Sequence, residues 1–276
     1  MIIDSHQHFW IYNPAEYDWI DDDMKSLRTD FLPPALKEEI ISAGVDGVIT
    51  VQARQTIGET NWILQNASEN DFIKGVVGWV PLVDKHVEDY IGKYKDNQKL
   101  KGLRHVLQGE PDQEYMLRDD FNMGISLLKK YDLVYDILIF ERQLPITIKF
   151  VDTHPNQAFV LDHIAKPIIK DNIIIPWKYN ISELAKRDNI FCKISGMVTE
   201  ADYSNWTVEQ LYPYFETILE AFGPERLLFG SDWPVCTTSC QYQKWFDIVK
   251  HFISPLNAWE QECILGLNAT RIYNLI

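Results

Sequence analysis

Eight short apolar or β-branched runs recur along this chain, each followed by a stretch with helical periodicity, and that alternation is what most restricts the fold. Strands joined through helical crossovers pair in parallel, so the pattern calls for a parallel sheet covered by helices. The runs are Ile2–His8, Gly47–Ala53, Lys74–Leu82, Leu100–Leu107, Val134–Ile139, Ala158–His163, Ile190–Ser195 and Leu227–Asp232. Eight is the number at which such a sheet closes on itself, which predicts an α/β fold, a (β/α)8 TIM barrel. An open doubly wound sheet is the alternative. Helices are expected over Pro34–Ala43, Glu59–Asn70, Lys85–Asp96, Asp119–Tyr131, Glu141–Asp152, Lys178–Arg187, Thr207–Phe222 and Gln241–Phe252, with a last one, Ala258–Asn274, against the barrel's outside. Pro33-Pro34 suits a first helical turn, and Gly44 and Gly223 suit helix ends.

At 276 residues the chain has the length of one such barrel, and no linker, repeat or low-complexity segment divides it. Residues 1–276 are therefore expected to form a single domain. The net charge of −14 repels phosphate backbones and anionic lipid surfaces, so neither nucleic acid nor membrane is an expected partner. The opening residues carry no basic-then-apolar leader pattern, and no segment is long and apolar enough to span a bilayer, which predicts a cytoplasmic protein. Cys192, Cys236, Cys240 and Cys263 show no Cys-x-x-Cys spacing and read as free thiols. A homo-oligomer is left open.

In a barrel of this kind the chemistry sits at the carboxyl ends of the strands. Asp4-Ser5-His6-Gln7-His8 ends the first run. Alternate strand residues share a face, so His6 and His8 point together into the mouth, where two imidazoles can hold one metal or one anionic group. The sixth run ends in Asp162-His163, ahead of the break at Lys166-Pro167; a rim histidine satisfied by Asp162 is the structural alternative. The eighth ends in Gly230-Ser231-Asp232 before Trp233-Pro234. First and eighth strands are neighbours in a closed barrel, so Asp232 faces the two histidines, unless it only caps a turn. The long connections Phe9–Leu32 and Gln108–Arg118 follow strand ends and belong to the same face. Trp10, Tyr12, Tyr17 and Trp19 on the first either wall a pocket for a sugar-like ligand or pack the loop onto the rim. His86, His154 and His251 lie away from that face and read as surface or packing residues.

Taken together, the His-x-His of the first strand, the lone histidine of the sixth and Gly-Ser-Asp-Trp-Pro of the eighth resemble the amidohydrolase superfamily, in its amidohydrolase-related branch, and within it the sugar-lactone hydrolases. Gly102-Leu-Arg-His, Leu161-Asp-His-Ile-Ala-Lys-Pro, Cys192-Lys-Ile-Ser-Gly and Asn268-Ala-Thr-Arg-Ile-Tyr extend the likeness over the whole chain. The resemblance implies a hydrolase that opens the ring ester of a small sugar lactone, such as L-fuconolactone or L-rhamnonolactone, by water attack on the carbonyl. It implies Asp232, His163 and Arg104 as catalytic residues. It also implies one divalent metal ion, zinc first, held by His6, His8, His163 and Asp232, with metal-free catalysis as the alternative. Substrate binding falls to Trp10, Arg104 and His105. Adjacent strand residues point opposite ways, so only one of Arg104 and His105 faces the mouth; Arg104 is the choice, because a guanidinium can fork onto a carbonyl or carboxylate. Lys193 and Ser195 face either the mouth or an inner layer. No lysine or glutamate ends the fourth strand and Tyr135-Asp136-Ile137 stands where the fifth would carry a histidine, so a binuclear centre is not expected. The competing readings are a metal-dependent decarboxylase of the same branch and a non-catalytic barrel that binds metal or ligand.

Overall fold

The computed structural model describes residues 1–275. Among these residues the strands are β1 (Ile3–Gln7), β2 (Gly47–Val51), β3 (Ile73–Gly78), β4 (Leu100–His105), β5 (Val134–Ile137), β6 (Phe159–Leu161), β7 (Ile190–Ile194) and β8 (Leu227–Phe229). They follow one another in chain order around a single sheet, and every ladder from β1 to β8 is parallel. The seam between β8 and β1 lies beyond the last residue of β8. Asp232 N donates to His6 O at 2.8 Å, His8 N donates to Trp233 O at 2.7 Å, and Gln7 bridges Trp233. These bonds close the barrel and exclude the open sheet.

Helices α1 (Pro33–Ala43), α2 (Ile57–Glu69), α3 (Val87–Gly92), α4 (Asp119–Leu128), α5 (Leu144–Thr153), α6 (Trp177–Leu184), α7 (Val208–Phe222) and α8 (Tyr242–Ile253) follow the strands in turn. Pro33 opens α1 and Gly44 ends it at φ +73°, a conformation that costs glycine nothing. The Thr56 side chain caps α2 by accepting from Glu59 N. The third helix is shorter than its periodicity suggests. No helix among the described residues is long and apolar enough to cross a membrane, and the four cysteines are buried free thiols.

Strands covered by helices outside and by one another inside are buried on both faces, which is why they read as continuous apolar runs. Below the mouth, Ile3, Ile49, Val77, Val134, Val160, Phe191 and Leu228 fill the barrel. The last predicted helix forms as α9 (Ala258–Glu262) and α10 (Asn268–Ile272), joined by the π-helical segment Cys263–Leu267. It does more than pack outside. Ala269 and Tyr273 join the inner cluster from below, and the Tyr273 hydroxyl donates to Asp136 at 2.8 Å.

Candidate active site

Three imidazoles and a carboxylate meet at the mouth. His6 and His8 extend from β1 on one face, and their Nε2 atoms lie 3.2 Å apart. Asp232 Oδ1 is 3.8 Å from His6 Nε2, 3.4 Å from His8 Nε2 and 3.9 Å from His163 Nε2. Their tautomers follow from what stands behind each ring. His8 Nδ1 is 2.7 Å from the Val51 carbonyl, which can only accept, so that nitrogen carries the proton and Nε2 is bare. Arg104 Nη1, which can only donate, lies 3.3 Å from His6 Nε2 and leaves that nitrogen bare as well. Two bare nitrogens and a carboxylate oxygen, with backing groups that fix the rings, form a donor set suited to one divalent ion such as zinc. Burial works against the charge of Asp232, but the electrostatic pull of His163, His6 and His8 holds its carboxyl below the usual carboxylate range.

Beneath them lies a layer of buried charge that the strand pattern left undecided. Lys193, fully buried on β7, donates to Asp136 Oδ2 at 2.5 Å and lies 3.0 Å from Asp162 Oδ1. Asp162 Oδ2 accepts from Arg104 Nη1 at 2.9 Å, and Arg104 Nη2 donates to the Gln52 carbonyl. The two cations thus share Asp162, and that sharing fixes Arg104 under the histidines, with Nη1 3.3 Å from His6 Nε2. Burial opposes the charge on Asp162, but Lys193 and His6 outweigh it and hold the carboxyl well down. Asp136 is pushed up to about 6 by burial, although Lys193 pulls the other way. Asp4 serves a different purpose: its Oδ1 accepts from His6 N and Ser231 N and its Oδ2 from the Tyr242 hydroxyl, tying β1 to the end of β8.

His163 does not end a strand as its sequence pattern suggests. β6 stops at Leu161, and Asp162–Ala165 form a tight turn that Lys166 caps; His163, Ile164, Ala165 and Lys166 have φ of 52°, 48°, 61° and 48°. Each left-handed residue without a glycine's freedom costs roughly 1–2 kcal/mol, so this turn persists only because its surroundings impose it. Part of that imposition comes from the end of β7. His163 Nδ1 is 2.9 Å from Ser195 Oγ, and a Cβ placed on Gly196, at φ +66°, would meet the His163 ring at 2.7 Å. Gly196→Ala is therefore expected to push the ring off its seat, costing about 1–3 kcal/mol of stability and about tenfold in kcat/KM. Thermal unfolding and kinetics of that variant check it, and native values for both would show that the ring has room to spare.

Burial lowers the His163 pKa to about 4, against the pull of Asp232 and Asp162. The neutral ring thus contributes stability above its ordinary value of 6.5, and that contribution is lost as pH falls through about 4. In the metal-free protein, the His163 ring resonances should show no protonation until the pH approaches that value. A midpoint near 6.5 would contradict the burial described.

The site opens into a cavity of about 480 Å³ lined by His8, Arg104, His163, Lys166, Asp232, Arg54 and Trp19, among others. Two of the residues expected to bind substrate do not reach it. Trp10 is fully buried inside the long loop, packed against Tyr17, Trp19 and Phe31, and its Nε1 donates to Thr29 O at 2.9 Å. Trp19 holds the wall position instead. His105 points away between β4 and its helix, where Nδ1 accepts from Trp79 Nε1 at 3.2 Å and Nε2 lies 2.6 Å from Glu110 Oε1. Arg104 is the one that faces the mouth, as the alternation of strand residues requires. Arg54 is held on the wall by Glu59, which accepts from its Nε at 2.7 Å, and by an ion pair with Glu16.

A family model described as amidohydrolase matches residues 3–275. A relative from Burkholderia multivorans named L-fucono-1,5-lactonase is 38% identical, covering 99% of this chain and 96% of its own. Another of that name from Burkholderia ambifaria is 33% identical, over 84% of this chain and 80% of its own. A solved amidohydrolase from Burkholderia multivorans with bound zinc superposes with a TM-score of 0.97 at 38% identity, with all of both chains covered.

Proposed function

The chain belongs to the amidohydrolase family, and from that premise we propose that it hydrolyses the ring ester of a small sugar lactone, with L-fuconolactone as the first substrate to test. The observation that carries this reading is the convergence of Asp232, His8, His163 and Arg104 on one cavity at the barrel's carboxyl-end face, with His6 buried directly behind them. Relatives named L-fucono-1,5-lactonase support the substrate class. A relative named L-rhamnono-gamma-lactonase, 25% identical over 71% of this chain, keeps L-rhamnonolactone in view.

In this mechanism Asp232 takes the proton from the attacking water, a role suited to a carboxylate kept ionised among imidazoles. Arg104 meets the charge that develops on the carbonyl oxygen. The Arg104 side chain lines the cavity and is held in place by Asp162 and the Gln52 carbonyl, and a fixed donor that meets a developing oxyanion stabilises the transition state more than the ground state. His163, seated by Ser195, orients the carbonyl against Asp232. A divalent ion held by His6, His8 and Asp232, with His163 beside them, would supply Lewis-acid polarisation of the carbonyl. Trp19 offers an apolar face to the sugar ring, and Arg54 with Glu16 offers partners for its hydroxyls.

The test is proton release from a panel of L-fucono-, L-rhamnono- and D-galactonolactone, run with zinc and after chelation, beside calorimetric titration of zinc into the wild type and His8→Ala. Turnover of an aldonolactone supports the reading, and no turnover of any in either state refutes it. Zinc binding that survives His8→Ala would remove His8 from the ligand set.

A further inference from the structure

Ring opening leaves one proton transfer to be assigned. When the ring C–O bond breaks, the departing oxygen is an alkoxide, which is too basic to leave without gaining a proton. Asp232, once it holds the water's proton, is one acid at hand, and Arg104 does not give one up.

The left-handed turn after β6 supplies a candidate. His163 and Lys166 are three residues apart on it, and at the pitch of a three-residue turn such side chains lie on one side. Both line the cavity beside Asp232. Lys166 Nζ lies 3.7 Å from Glu200 Oε1 and 5.7 Å from the centre of the Phe140 ring. Glu200 at that distance steadies the ammonium without taking a short hydrogen bond from it, so its protons remain open to the cavity. Four consecutive residues hold a backbone conformation that each would avoid elsewhere, and the result is a lysine placed next to the carbonyl-orienting histidine.

We propose that Lys166 is the acid that protonates the ring oxygen as it leaves, with Glu200 as the residue that positions its ammonium; this rests on the lactone-opening reading above. Water oxygen bonds to the carbonyl carbon while Asp232 takes its proton. The ring C–O bond then breaks with the electron pair on the ring oxygen, which receives a proton from the Lys166 ammonium. The proton on Asp232 returns to the Lys166 amine through an intervening water. The sum is lactone plus water to hydroxy acid, with the enzyme restored and no co-reactant.

The test compares Lys166→Met and Lys166→Arg on L-fuconolactone and on dihydrocoumarin, a lactone whose ring oxygen leaves as a phenoxide and needs no acid. On L-fuconolactone, Lys166→Met should lower kcat by about 10²-fold and change KM by less than about threefold. On dihydrocoumarin it should lose less than about fivefold. Lys166→Arg keeps the charge but cannot release its proton, so it should not restore turnover. Equal losses on both substrates, a raised KM with unchanged kcat, or full activity in Lys166→Arg would each overturn the proposal. Should the wild type not accept dihydrocoumarin, the arginine variant decides. A wild type that opens no aldonolactone refutes the lactone reading and this proposal with it; an active wild type with an equally active, normally folded Lys166→Met refutes the proposal alone.

Discussion

Asp232→Asn is expected to lower kcat on L-fuconolactone by roughly 10³–10⁴-fold while leaving the thermal midpoint and KM close to native. The amide has nearly the shape of the carboxylate, so the packing of Asp232 against His8 at 3.4 Å and His163 at 3.9 Å changes little. The backbone bond from residue 232 to His6 O is untouched by the side chain. What is lost is the ability to accept a proton from water at neutral pH. Because the imidazoles keep the native carboxyl below the usual carboxylate range, the base is ready at any neutral pH and the loss should not be recovered by raising it. An Asp232→Asn enzyme with near-native kcat would move the base role elsewhere and end this mechanism.

Lys193→Met is expected to produce the largest loss of stability. It removes the cation shared by Asp136 and Asp162, all three of them fully buried. Removing one member of a buried ion network strands the others and typically costs about 3–5 kcal/mol, which in a domain of this size lowers Tm by roughly 6–15 °C. The pH dependence has a definite sign. Asp136 already sits at about 6 beside Lys193, and without the lysine it rises further. A carboxyl raised in the folded state makes the native protein bind protons more tightly, so its cost grows as pH rises through that range and fades on acidification. The deficit of Lys193→Met relative to wild type should therefore be smaller at about pH 5 than at about pH 8. A deficit independent of pH, or none at all, would show that Asp136 carries no charge in the native protein.

How much of this could be read from residues alone depended on whether local periodicity or long-range pairing decides the position. His6, His8 and Arg104 were legible because side-chain direction on a strand alternates, and the same rule turns His105 outward. Asp232 was legible because strand order in a closed barrel makes β8 the neighbour of β1. The alternation rule fails at Asp162 and His163, where the chain has already left β6 for a left-handed turn; the run of residues there carries no glycine to announce it. Lys193 could not be assigned from β7 alone, because its partners Asp136 and Asp162 come from β5 and from beyond β6. Tyr273 meets Asp136 across 137 residues of sequence. Trp10 and Trp19 are equally aromatic, and only the fold of their loop puts one inside it and the other on the cavity wall. The π-helical break between α9 and α10 leaves no mark in the apolar pattern.

The seam of the barrel also sets when the site can exist during synthesis. His6 meets Asp232 through the same bonds that join β1 to the end of β8, and Asp4 clasps Ser231 across 227 residues of chain. A nascent chain that has emerged only as far as β7 holds its histidine pair ready but has neither the carboxylate nor a closed sheet. Barrel closure and site assembly are thus one event, and a chain halted before Trp233 has no partially active form to fall back on.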